Sequence, residues 1–294
     1  MTRRPVSNQA ASIRQRLMNL RRAQNDDYNA ILTQYAVERF LYRLSRSTHA
    51  DRFILKGAML FRVWAGSLHR PTKDLDLLGH GEATPQAVAQ TVRQVLTTKV
   101  KDDGLIFDPD SVVAAEIREE QQYGGIRVKL VAMLGSARIP MQIDVGFGDV
   151  VTPTPTAHAF PTLLDMNAPV LRMYPPQTVV AEKLETAVVR GMINSRMKDY
   201  YDLLVILRTH QLNDAELAQA IHATFGRRKT EIPHDVPAGL SDEFAADAAA
   251  KRLWREFLRR LEITDAPEDF AEVVRTVRGR LWPILIKAGN LKSP

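Results

Sequence analysis

In Ile126-Arg127-Val128-Lys129-Leu130-Val131-Ala132-Met133-Leu134, apolar residues return at every second position, with Ile126, Val128, Leu130, Ala132 and Leu134 set against Arg127 and Lys129. The same period recurs in Met141-Gln142-Ile143-Asp144-Val145-Gly146-Phe147. Successive strand side chains point to opposite faces, so a period of two marks two half-buried strands. Gly124-Gly125 precedes the first and Gly135-Ser136 follows it, which predicts an antiparallel hairpin. Gln142, Asp144 and Gly146 then share one face of the second strand, with Met141, Ile143, Val145 and Phe147 on the other.

Upstream, Phe53-Ile54-Leu55 is a short apolar stretch ending at Lys56-Gly57, and Met59–Trp64 has helical content. After a turn at Pro71, Asp74-Leu75-Asp76-Leu77-Leu78 alternates polar and apolar, and a helix is expected over 85–98. Earlier still, Ile13, Leu17 and Leu20 form one helical face, and 29–47 carries Ile31, Leu32, Tyr35, Ala36, Phe40, Leu41 and Leu44 at helical spacing. Downstream, 151–177 holds Pro153, Pro155, Pro161, Pro169, Pro175 and Pro176 without a helical period and reads as an extended connection. Helices are expected over 178–192, 197–209, 214–224, 241–262 and 268–288. The pattern predicts an α+β fold, a small mixed sheet followed by a helical C-terminal domain. The expected divisions are a basic arm or helix at 1–28, a core at 29–165 and the helical domain at 166–294.

The chain has 294 residues with 40 Lys+Arg against 34 Asp+Glu, a net charge of +6. Arg3, Arg4, Arg14, Arg16, Arg21 and Arg22 lie in residues 1–25, which hold no acid, so the remaining 34 bases balance the 34 acids. The excess charge is local to one segment. Hydrophobic residues at 45% exclude wholesale disorder. The chain has no cysteine, which excludes disulfides, thiolate metal sites and a cysteine nucleophile. No apolar run reaches the roughly 18 residues of a membrane helix, and the arginine-rich start lacks the apolar segment of a secretory signal. A cytoplasmic protein without membrane attachment is expected.

Asp74 and Asp76, two residues apart on a strand, project from one face while Leu75 and Leu77 enter the core. Two carboxylates so placed can hold Mg²⁺, and Asp144 on a second strand could complete a three-acid set. Acids on an exposed strand are also common without any ligand. Lys56-Gly57-Ala58 opens a helix with a glycine that lets phosphate oxygens approach backbone N–H groups, though such a tripeptide is often only a turn. Lys183 stands on one helix, and the next reads Met197-Lys198-Asp199-Tyr200-Tyr201-Asp202, with Asp199 and Asp202 on one face. Beside the lysines these acids could orient a nucleotide; singly, each is more often a salt-bridge partner.

Lys56-Gly57-Ala58, then Arg70-Pro71-Thr72-Lys73-Asp74-Leu75-Asp76, Ile143-Asp144-Val145-Gly146-Phe147-Gly148-Asp149, Ala181-Glu182-Lys183 and Met197-Lys198-Asp199-Tyr200-Tyr201-Asp202, taken in this order, resemble the AbiEii-type toxin nucleotidyltransferases. That family lies in the polymerase-beta-like nucleotidyltransferase superfamily and occurs in bacterial toxin–antitoxin pairs. The resemblance runs from about residue 35 to the C-terminus and implies a polymerase-beta-like core with a helical domain completing the active site. It implies Asp74, Asp76 and Asp144 as ligands of Mg²⁺, two ions, with Mn²⁺ an alternative. Lys183 would be the essential lysine; Gly57 and Ala58, with Lys56, Arg70 and Thr72, would contact the triphosphate, and Lys198, Asp199 and Asp202 would complete nucleotide binding. Ala58 departs from the family's glycine or serine, and Gln177 stands in place of a glutamate.

The implied reaction transfers a nucleoside monophosphate from a triphosphate to an RNA 3′ end, with tRNA as the acceptor by resemblance, pyrophosphate released and a cognate antitoxin encoded nearby. Arg14–Arg22, Arg227-Arg228-Lys229 and Lys251–Arg260, the last interleaved with Trp254 and Phe257, are candidate contacts for a phosphodiester backbone or ordinary helix faces. Rival readings are protein nucleotidylation, a metal-dependent nuclease and a non-catalytic RNA- or protein-binding module.

Overall fold

The computed structural model describes residues 9–24, 27–66, 72, 74–117 and 124–291. The chain divides into two compact units, one of residues 1–148 with 156–173, the other of 149–155 with 174–294. Among the described residues no helix is long and apolar enough to cross a membrane.

The first unit contains α1 (Gln9–Gln24), α2 (Tyr28–Arg46), β1 (Phe53–Lys56), α3 (Met59–Ala65), β2 (Asp74–Gly79), α4 (Pro85–Leu96), β3 (Leu105–Ile117), β4 (Gly125–Leu134), β5 (Ala137–Phe147), β6 (Thr156–Ala159) and β7 (Val170–Met173). The strands form one seven-stranded mixed sheet in the order β3-β4-β5-β2-β1-β7-β6. The predicted hairpin is β4–β5, paired from Leu134↔Ala137 at its turn to Gly125↔Gly146. Helix α2 packs on β5 and β7, and α4 on β3 and β4. Each starts at a cap that satisfies a first-turn N–H: the Ala30 N–H donates to Asp27 at 2.9 Å, and the Ala87 N–H donates to Thr84 at 3.2 Å, ahead of Pro85 at the first helical position.

Helix α2 also carries charge into the core. Arg43 donates two hydrogen bonds to Asp103, of 2.6 and 3.0 Å, and the Tyr35 hydroxyl donates to the Asp103 carbonyl at 2.7 Å. In α1, Ile13 and Leu17 are fully buried, so this basic segment is a packed helix of the first unit.

Three elements differ from the sequence expectation. Strand β3 was unexpected: Asp108, Pro109 and Asp110 interrupt its alternation, and the β3–β4 register shifts between Asp108 and Val113. The connection over 151–177 contains β6 and β7; β7 pairs with β1 at Leu55↔Met173, which carries the first unit to Met173 instead of 165. The long helix expected over 241–262 is two, α8 (Asp242–Ala246) and α9 (Ala248–Arg260), because the Asp247 side chain accepts the Ala250 N–H and starts a new helix.

The second unit otherwise comprises α5 (Pro176–Arg190), α6 (Met197–Thr209), α7 (Asp214–Arg228) and α10 (Phe270–Gly289). Its core is aromatic: Trp254 lies 5.6 Å from Phe257 and 5.5 Å from Phe270, which meets Phe244 at 5.5 Å and Tyr200 at 5.3 Å. Trp254 is fully buried and donates its indole N–H to the Pro267 carbonyl at 2.9 Å. Trp254 and Phe257 are therefore core residues, and stacking on nucleic-acid bases is not open to them.

Asp103→Ala leaves the Arg43 guanidinium buried without its partner and is expected to destabilise the protein by about 3–5 kcal/mol in urea unfolding. A double replacement, Arg43→Met with Asp103→Leu, is expected to recover most of that loss, since removing both charges removes the desolvation penalty.

Candidate active site

Strands β2 and β5 pair in parallel, with Asp74 opposite Gln142 and Asp76 opposite Asp144. On the far side of β2, Lys56 of β1 is opposite Asp76; on the far side of β5, Arg127 of β4 is opposite Asp144. Residues paired across a sheet share a face. Arg127, Asp144, Asp76 and Lys56 thus form one row across four adjacent strands, with Asp74 two positions along. All are partly exposed, whereas Leu75, Leu77, Ile143 and Val145 on the opposite face are buried.

Gly57 shapes one end of the row. Its φ of +74° lies in the left-handed region, and a Cβ there would stand 2.0 Å from Asp76 Oδ2. The Asp76 carboxylate therefore rests against bare backbone that only glycine leaves open. Ala58, buried, precedes the seven-residue α3 and gives it no side-chain cap. The Thr72 hydroxyl donates to the Asp74 carbonyl at 3.4 Å, which ties the loop to the start of β2. Arg70 lies outside the described residues.

The other end holds a residue that the sequence reading did not select. Arg127 grips Asp144 with two hydrogen bonds, Nε to Oδ1 at 2.9 Å and Nη2 to Oδ2 at 2.7 Å. The signal was present in the hairpin, because counting seven residues outward on each side of the Leu134–Ala137 turn pair reaches Arg127 and Asp144. Among the described residues no three acidic or histidine side chains are gathered to hold a metal ion. The donor chemistry nonetheless suits one: Asp76 and Asp144 carry carboxylate oxygens on neighbouring strands, the ligand type of a hard divalent cation.

In the second unit, the Lys183 ammonium of α5 donates to Asp199 at 2.7 Å and to Asp202 at 2.8 Å, both on α6. Arg196 donates to the other Asp199 oxygen at 2.6 Å. Burial would raise the Asp199 carboxyl, but the Lys183 ammonium and Arg196 guanidinium overcome it and hold the group below the usual carboxylate range. The two acids, 4% and 1% exposed, thus grip the lysine. Lys198, on the same helix, is exposed.

Two further positions resolve. Arg228, a candidate either for phosphodiester contact or for an ordinary helix face, is held by Glu185 at 2.8 Å and Asp149 at 3.1 Å, with Glu182 at 3.6 Å. Three acids around one guanidinium leave it committed to its own unit. Gln177 donates its amide to Glu216 at 2.8 Å, a contact that a glutamate at 177 would turn into charge repulsion.

Gly57→Ala is expected to cost about 1–2 kcal/mol in urea unfolding, from left-handed strain and the displaced Asp76 carboxylate. The depressed Asp199 carboxyl contributes stability above its unfolded value that is lost as pH falls through its folded value. The stability gap between wild type and Asp199→Asn, measured by denaturation across pH, should therefore be full at pH 7 and shrink below about pH 4.

The family model for the nucleotidyl transferase AbiEii toxin of the type IV toxin–antitoxin system matches residues 39–276. Two solved structures are similar to this chain at low identity. The Helicobacter pylori protein JHP933 is 13% identical, with a TM-score of 0.50 over 89% of this chain and 95% of its own. An H. pylori protein classed as a nucleotidyltransferase is 12% identical, with a TM-score of 0.49 over 92% of this chain and all of its own. No curated protein matches the chain. With the family match covering most of its length, the chain belongs to the AbiEii nucleotidyltransferase toxin family.

Proposed function

We propose that this nucleotidyltransferase is a Mg²⁺-dependent toxin that transfers a nucleoside monophosphate from a triphosphate to the 3′ end of an RNA, with tRNA as acceptor and a cognate antitoxin encoded nearby. The observation that carries this reading is the register placing Asp76 opposite Asp144 with Asp74 on the same face. Asp74, Asp76 and Asp144 are the residues that would hold the divalent cation. Bound there, it would supply Lewis-acid charge to phosphate oxygens and lower the cost of deprotonating an attacking hydroxyl.

The chain's own groups then divide the work. Gly57 lets the Asp76 carboxylate lie against the backbone, and Lys56 brings positive charge beside Asp76. Lys183, held by Asp199 and Asp202, is proposed as a pre-placed ammonium for triphosphate charge, because phosphoryl transfer rests on positioning and electrostatics. Its two acids act on the nucleotide through the lysine. For the acceptor, α1 offers Arg16 and Arg22 on its exposed side, and α9 presents Arg252, Arg255, Arg259 and Arg260 outward from its buried aromatic face. Exposed helix faces on which arginines outnumber acids, as in α1 and in α9 with its single Glu256, suit a phosphodiester backbone.

Incubation of the protein with Mg²⁺, each labelled triphosphate in turn and total RNA should place label on RNA and release pyrophosphate. Asp76→Ala is expected to abolish labelling, and Lys183→Ala to reduce it by about a hundredfold or more. Absence of label from every RNA band would overturn the reading. Shortened RNA without a triphosphate requirement would identify a nuclease, and label on a protein band a protein acceptor.

A further inference from the structure

Asp144 is needed as a metal ligand in the reading above, yet both of its oxygens are engaged by Arg127. We propose that Arg127 is the resident countercharge of the third carboxylate, displaced from Asp144 when a divalent cation binds, and that its released guanidinium then binds nucleotide phosphate. The inference rests on the metal assignment just proposed and goes beyond it by naming an exchange partner for the metal.

Three features of the site carry it. First, the contact follows from the fold: Arg127 and Asp144 are directly opposed on β4 and β5, so every folded molecule places a guanidinium on this carboxylate. A fork-to-fork pair satisfies both acceptor oxygens and leaves neither well placed for a third partner. Second, the pair is at the surface of the sheet, with the Arg127 side chain 38% and that of Asp144 17% exposed. Contrast Arg43–Asp103 in the same unit, where the side chains are 8% and 4% exposed and the pair is locked in the core. Water reaches Arg127, so its guanidinium can leave the aspartate without being stranded in an apolar interior.

Third, the surroundings give the arginine somewhere to go. The next row along the same face runs from Gly125 on β4, against which the Ile117 side chain lies, through Gly146 on β5 to the buried Leu78 on β2. Gly146 has no side chain to fill the space, and the nearest side-chain atom to where its Cβ would stand is the Lys56 ammonium, 3.7 Å away. Lys56 thus reaches from β1 across β2 to Gly146. Arg127, one row along on the neighbouring strand, and Lys56 both border Gly146, and a guanidinium and an ammonium beside a residue without a side chain suit a phosphate group. Arg127 acts on the metal through Asp144 and is in that respect a positioning residue.

The test measures binding directly, without turnover. Mn²⁺ affinity is determined by titration with electron paramagnetic resonance detection for wild type, Arg127→Gln and Arg127→Lys, with thermal melting to confirm that each is folded. Without nucleotide, Arg127→Gln is expected to bind Mn²⁺ up to about fivefold more tightly, the factor an exposed ion pair is worth. With Mn²⁺ saturating, the same variant is expected to bind a non-hydrolysable triphosphate about tenfold more weakly, and Arg127→Lys to restore most of that affinity. A purely structural role would weaken both ligands together. Unchanged or weaker Mn²⁺ binding in Arg127→Gln overturns the proposal while leaving the metal assignment intact. Absence of Mn²⁺ binding in wild type overturns both. If Arg127→Gln does not fold, Arg127→Lys carries the test, since its single-point charge cannot hold both Asp144 oxygens and should also bind Mn²⁺ more tightly than wild type.

Discussion

Parallel pairing of β2 with β5 is the constraint on which the site depends. The two strands are separated in sequence by α4, β3 and β4, and a parallel pair needs such a long crossover. Their apolar faces hold the register: Leu75, Leu77, Ile143 and Val145 are at most 2% exposed. A slip of one residue would turn these side chains to solvent and Asp76 and Asp144 into the core. Each buried aliphatic side chain is worth about 1.5–3 kcal/mol, against about 1 kcal/mol or less for a surface ion pair. Hydrophobic burial therefore sets the alignment, and the charges take the positions it leaves them.

Acids gathered on one face need countercharge, and the two units supply it differently. In the first, Lys56 and Arg127 flank Asp76 and Asp144 in the same row, partly exposed and open to exchange. In the second, Asp199 and Asp202 are buried around Lys183, an arrangement that costs desolvation and returns a fixed position for the ammonium. Arg228 follows the same pattern, since Glu182, Glu185 and Asp149 tie this one member of the basic run 227–229 inside its own unit. Depth of burial separates a charge kept for exchange from one kept for structure.

Elements with a clean local period were legible from the residues. The β4–β5 hairpin, β2, α2 and α6 each bury one face against the core, and their alternation or helical spacing records it. Strand β3 was not legible, because Pro109 and its flanking acids sit at a register shift where alternation fails. Strands β6 and β7 have four residues each among prolines and exist through pairing with each other and with β1. The break at Asp247 did have a local signal, a capping carboxylate within a helical run.

The sequence by itself determined which side chains share a strand or helix face: Asp74 with Asp76, Asp199 with Asp202, Arg127 with Lys129. Those pairings are properties of backbone geometry over a few residues. Only the tertiary structure decided that Asp76 meets Asp144 across a parallel pair, that Asp144 is claimed by Arg127 and that Lys183 is the partner of the α6 acids. These depend on which apolar surfaces close against one another, a long-range choice driven by burial, and no short-range period encodes it.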